Sequence, residues 1–222
     1  MTSATPTAFT PSKEQRPSDR FVKYVHDLCA DKRARAELRR GIGLPVERCN
    51  YAHRYLVPFI SRTHKEGVSR DRGHAYYVVA ALIAGRPRAA RDAEPPGWSE
   101  GQPPADWYAR PNLGASLGQA VAKGVLKEGS AESTLHLMTR QTADAVRTGL
   151  PALVRQLANG GVPVDWTVLL EDLANWNRDH DRVATRWLES YFRALSTEDA
   201  PEVEDEHLDN DENANTDEEN ER

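Results

Sequence analysis

Four side chains in the first quarter of the chain are of the types that hold zinc. Two residues separate His26 from Cys29 and three separate Cys49 from His53, and both spacings suit a tetrahedral site. Each pair holds only one cysteine, however, and Cys29 falls on an apolar stripe, where a buried free thiol is common. His180-Asp181 points to metal phosphohydrolase chemistry, which needs further His and Asp ligands on other helices. His136 and Asp144 are isolated, so the pair reads as the polar start of a helix. Asp165, Glu171 and Asp172 also fall close together; Asp165 reads as a helix cap and the other two as solvated. There is no phosphate-cradling glycine loop, no GxSxG elbow and no HExxH. An enzyme reading has little support, and no metal or cofactor is expected. Arginine offers a different chemistry. Trp98, Trp107 and Tyr108 share a stretch with Arg86, Arg88, Arg91 and Arg110, and arginines mixed with aromatics can stack bases. The duller alternative is a surface loop pinned to the body by its tryptophans.

The elements that must position these groups are helical. Ser18 reads as the cap of a first helix carrying Phe21, Val22, Val25, Leu28 and Cys29. DKRARAELRR follows, stopping at Gly41 after two arginines that suit the helix dipole. Tyr51, Tyr55, Leu56, Phe59 and Ile60 mark another apolar face. Residues 75–84 (AYYVVAALIA) are apolar all round, which predicts a central, buried helix. After a break, LGASLGQAVAK has small residues at close spacing, so a helix there can lie unusually near its neighbour. Ser130 is expected to cap the next helix, and Pro151 to sit in the first turn of another that ends at Asn159-Gly160-Gly161. Asp165 caps a helix with Trp166, Leu169, Leu170, Leu173 and Trp176. Val183, Trp187 and Tyr191 step by four along the last helix, and this aromatic stripe reads as core.

The chain has 222 residues, of which 39% are apolar and 28% charged. Two cysteines exclude a disulfide framework. The longest apolar run has ten residues, where a membrane helix needs ~20. The first residues show no secretory signal. A soluble protein of a reducing compartment is expected. The net charge of −5 hides a segregation. Residues 197–222 hold 13 Asp and Glu against one Arg, leaving +7 on residues 1–196 and +8 on residues 1–96 alone. A basic body draws polyanions, and the self-repelling tail is expected to be disordered. It can also fold back on the body and compete with nucleic acid. The expected architecture is all-α: two small helical bundles, 18–85 and 112–196, joined by a Pro/Gly-rich linker (86–111), with a disordered N-terminal segment (1–17) and an acidic tail (197–222).

Three ordered stretches carry a resemblance: NLGASLGQAVAKG (residues 112–124), LPALVRQLANGGVPVDWTVLLEDLANW (150–176) and TRWLESYF (185–192). With ARAELRRG (34–41) and YAHRYLVPF before them, they resemble the CasB family, the small subunit of the type I-E CRISPR Cascade complex. The resemblance implies an all-α, non-enzymatic, cytoplasmic subunit. Its implied partners are the backbone guide-binding subunits, the large subunit, a second copy of itself, and guide RNA with target DNA and the displaced strand. No membrane is involved. Base pairing with the guide supplies the sequence discrimination, so a basic surface without readout is enough. By local context the implied nucleic-acid-binding residues are Arg39, Arg40, Arg54, Arg140, Arg155, Arg178 and Arg182. Ser133 and Thr134 stand where some members carry paired arginines, and Gln119 replaces a basic residue. These departures move the load toward the N-terminal half. The rival reading is a helical protein-interaction scaffold without direct nucleic-acid contact.

Overall fold

In a computed structural model the described residues are 16–87 and 106–196, and among them there are helices and no strand. The expectations for the far N-terminus, for Trp98, Arg88 and Arg91, and for the acidic tail lie outside the described residues. The helices run α1 Pro17–Leu28, α2 Lys32–Arg39, a 3-10 turn Val46–Arg48, α3 Asn50–Thr63, α4 Arg70–Gly85, α5 Leu113–Ala122, α6 Glu128–Met138, α7 Ala143–Asn159, α8 Trp166–Asn175 and α9 His180–Ser196.

α4 is the hub, as its all-round apolarity predicts. Residues 75–77 and 79–84 are buried, and the helix packs on α1, α2, α3, α7 and α8. Phe21 of α1 meets Tyr76 edge-on at 4.4 Å and Phe59 of α3 at 5.3 Å. Because α4 lies on α8, one continuous core runs from Phe21 to Tyr191, and the helices of the two halves share it.

α5 packs tightly on α9. A Cβ at Gly118 would sit 2.6 Å from that of Ala194 and 2.9 Å from the Tyr191 carbonyl oxygen, and one at Gly114 would overlap the Trp187 backbone. Small residues let the two backbones approach, and they seat Trp187 and Tyr191 fully inside. Burying such a side chain is worth ~3–5 kcal/mol against alanine. Tyr51, expected on an apolar face, is exposed, as are Leu137 and Phe192.

Several helix starts differ from expectation. α1 begins at Pro17, whose fixed φ suits the first helical position, so Ser18 is buried in the first turn and caps nothing. α6 starts at Glu128 with no side-chain cap, two residues before Ser130. Thr142 caps α7 through the Ala145 amide. That helix runs through Pro151 to Asn159, so Pro151 sits mid-helix rather than in a first turn. Asp165 does cap α8, accepting from the amides of Thr167 and Val168 at 3.0 and 3.1 Å.

Candidate nucleic-acid interface

Arginines fall into two sets, those that pair between the halves and those exposed on the surface. The first set ties the halves together. Arg110, just before α5, is buried; its Nε and Nη2 donate to the two Asp165 oxygens at 2.8 Å and its Nη1 to Asp19 of α1 at 2.8 Å. Burial alone would lower the Arg110 pKa, but Asp165 and Asp19 outweigh it and raise it. Arg72 of α4 grips Glu171 of α8 at two points, 2.9 and 2.8 Å. Burial pushes the Glu171 carboxyl up, and the Arg72 fork overrides this and holds it below the usual range. Arg147 of α7 pairs with Asp144 at 2.7 Å and with Asp71 of α4 at 3.3 Å.

Glu171 and Asp172 are therefore not solvated. Asp172 is buried and accepts from Arg186 and, at 2.7 Å, from the Trp187 indole. Burial drives its pKa up to about 6 even though both partners pull it down. Arg86, from the aromatic-rich stretch, is buried with its guanidinium 5.5 Å from the Trp166 ring centre. Trp107 is held between Arg16 at 4.3 Å and Arg110 at 5.1 Å, which agrees with a pinned loop.

The second set is exposed and contains all seven expected site residues. Among the described residues, no carboxylate lies within ion-pair distance of Arg39, Arg40, Arg140, Arg155 or Arg182. Arg40 lies 4.9 Å from the exposed Tyr51 ring. Arg54 is partly engaged, 3.6 Å from Glu37. The Tyr55 hydroxyl first, and Arg33 second, hold that carboxyl below its ordinary pKa. Arg178 donates to Asn175 at 2.7 Å and to Asp179 at 3.3 Å.

Two surface features gather some of these groups. One is a groove between the 41–47 turn and α7, formed by adjoining hollows of about 320 and 490 Å³ that share Ile42, Leu82 and Pro151. Arg70 and Arg147 line one end; Arg86 and Arg155 line the other, where the Arg39 stem lies beside Gly85. The other feature is a cleft of about 230 Å³ lined by Arg16, Trp107, Tyr108, Asp172, Arg182 and Arg186. Arg178 flanks it at the α8–α9 corner through Asn175. Arg140 stands apart, after α6. The groups missed in the sequence are Arg16 and Arg186. The signal for Arg186 was available, since Arg178, Arg182 and Arg186 recur at steps of four.

The His, Cys and Asp groups singled out in the sequence have other contacts. Among the described residues there is no cluster of three or more His, Cys, Asp or Glu placed to hold a metal. His53 meets the Tyr77 hydroxyl at 2.6 Å, and the Cys49 thiol donates to the Pro45 carbonyl at 3.4 Å. His180 contacts its neighbour Asp181 at 3.1 Å and the Trp176 ring edge-on. None of the described helices is long and apolar enough to cross a membrane.

The family described as CRISPR-associated protein Cse2 matches residues 34–192. A CRISPR-associated protein Cse2 of Thermus thermophilus is 24% identical over 194 residues, covering 85% of this chain and 97% of that protein. Among solved structures, a chain of a CRISPR RNA-guided surveillance complex is similar with a TM-score of 0.67 and 38% identity, over 82% of this chain and 95% of that one. A chain of such a complex in a pre-nicking state gives 0.69 and 40%, over 82% and 96%. The crystal structure of M. ruber CasB, at 23% identity and a TM-score of 0.61 over 84% and 98%, has the same fold.

Proposed function

We infer the function from one premise: the chain belongs to the Cse2 family of CRISPR-associated proteins. It is a structural subunit of a CRISPR surveillance complex, in line with its similarity at 38–40% identity to chains of such complexes. It does no bond-making of its own. Exposed guanidiniums on a helical body hold guide RNA, target DNA and the displaced strand, without reading sequence. Neighbouring subunits and a second copy of the chain complete the surface. The observation that carries this reading is the set of exposed arginines that no carboxylate answers among the described residues: Arg39, Arg40, Arg140, Arg155 and Arg182. A planar fork grips phosphate at two points, and phosphate contacts position a strand without specifying its bases.

The test is retention of single-stranded DNA by the purified chain across a salt series, with the chain truncated after Ser196 as a parallel arm. Affinity falls steeply with salt. Arg39→Ala with Arg40→Ala lowers the slope by about 0.7 for each phosphate that is no longer neutralised. Truncation tightens binding at low salt, because it removes 13 of the acidic residues. An unchanged slope in the double variant removes Arg39 and Arg40 from the interface. Absence of DNA and RNA retention in both arms at low salt leaves the protein-interaction scaffold as the function.

A further inference from the structure

The cleft lined by Arg16, Trp107, Tyr108, Arg182 and Arg186 sets an exposed aromatic face beside two guanidiniums, Arg16 and Arg182, that no carboxylate answers among the described residues. Its two carboxylates are already committed. Glu171 is held at both oxygens by Arg72, and Asp172 by Arg186 and Trp187. Arg186 spends its charge on Asp172. Arg16 and Arg182 have no carboxylate within ion-pair distance among the described residues. Arg16 lies over Trp107, 4.3 Å from its ring centre, which fixes one wall. Tyr108 is 70% exposed, and no described ring or guanidinium stacks on it. Its position comes from the backbone instead: the Tyr108 amide donates to Asp106 at 3.0 Å, and two residues later Arg110 is locked to Asp165 and Asp19. The backbone beneath the ring is therefore held, which limits the ordering cost to the side chain's own rotamers when something lands on it.

We propose that this cleft holds one unpaired nucleotide of a single strand, its base stacked on Tyr108 and its phosphate between Arg16 and Arg182. The proposal rests on the nucleic-acid reading above and gives it a specific landing point. A volume of about 230 Å³ is below the ~300 Å³ floor of drug-sized sites; it takes the phosphate, while the base lies on the exposed Tyr108 ring at the rim. An acidic peptide would use the two arginines and leave the tyrosine idle, whereas a nucleotide uses both kinds of group. Every base has a π-face, so such a site accepts any sequence.

The experiment uses the full-length chain and a short oligothymidylate, read by fluorescence anisotropy, with an iodouracil-substituted copy for photocrosslinking. Tyr108→Ala weakens binding about tenfold, a typical loss for one stacked base. Tyr108→Phe, which keeps the ring, binds like the parent. Arg182→Ala lowers the salt slope by about 0.7. The crosslink maps to Trp107 or Tyr108. Since Tyr108 is exposed, its replacement leaves the core intact, and a matched melting temperature checks this. Parent-like binding by Tyr108→Ala with the oligonucleotide still bound overturns the proposal and leaves the broader function standing. So does a crosslink that maps elsewhere. So does a poly-glutamate peptide that binds with a dependence on Arg182 and not on Tyr108. No binding by any form overturns both.

Discussion

The seam between the halves and the outer face use arginine for opposite ends. At the seam, Arg72, Arg110 and Arg147 each meet a carboxylate from the other half, Glu171, Asp19 and Asp71 in turn, at 2.8 to 3.3 Å. On the outer face, Arg39, Arg140 and Arg155 meet none among the described residues. Among the seam arginines, Arg110 is a low-dielectric fastener whose loss leaves a buried charge behind, and Arg72 and Arg147 join partly covered carboxylates. The outer arginines are hydrated and carry their charge forward to whatever arrives. The residue type is uninformative by itself; what separates structure from function is the partner opposite each guanidinium.

The largest expected break in that comparison is Arg110→Ala. It strands Asp165 and Asp19 and costs about 3–5 kcal/mol in urea unfolding. An effect under about 1 kcal/mol would place the seam with ordinary surface pairs. Next is the pH response of Asp172. Its folded pKa of about 6 lies above the unfolded value of 3.8, so the folded state holds the proton more tightly. This contribution is fully present below pH 3.8 and is lost as the pH rises through about 6. Stability of the parent relative to Asp172→Asn should therefore fall between about pH 4 and 7, by on the order of 2–3 kcal/mol. A flat difference curve would mean that Arg186 and Trp187 fully offset burial. Gly118→Leu forces α5 off α9 and costs about 1–3 kcal/mol. Gly149→Ala, with open space around its α-carbon, gains up to about 1 kcal/mol. The smallest effect is on the outer face: Arg140→Ala and Arg155→Ala each change stability by no more than about 0.5 kcal/mol, while each lowers the salt slope of strand binding.

Patterns within one helix were legible in the sequence. The four-step spacing of Val183, Trp187 and Tyr191 placed them inside, Asp165 announced the start of α8, and the small residues of α5 announced its close approach. Local signals misled where another cause competed. Pro17 starts α1 before Ser18 can cap it, and α7, already capped at Thr142, absorbs Pro151 in its interior. The seam was not legible at all. Arg72 meets a residue 99 positions away and Arg147 one 76 away, and no periodicity encodes such a pairing. For the proposed interface, the seven arginines come from the family resemblance, and the sign of the charge could be read. Which of them converge could not, because Arg16 joins Arg182 only when the start of α1 lies against the α8–α9 corner.

Arg86 and Arg110 have one more consequence together. The first rests on Trp166 and the second on Asp165, so the chain is stapled at both positions to adjacent residues at the start of α8. Whatever lies between them is closed over a fixed gap, and doubling its length adds only about 0.6 kcal/mol of closure entropy.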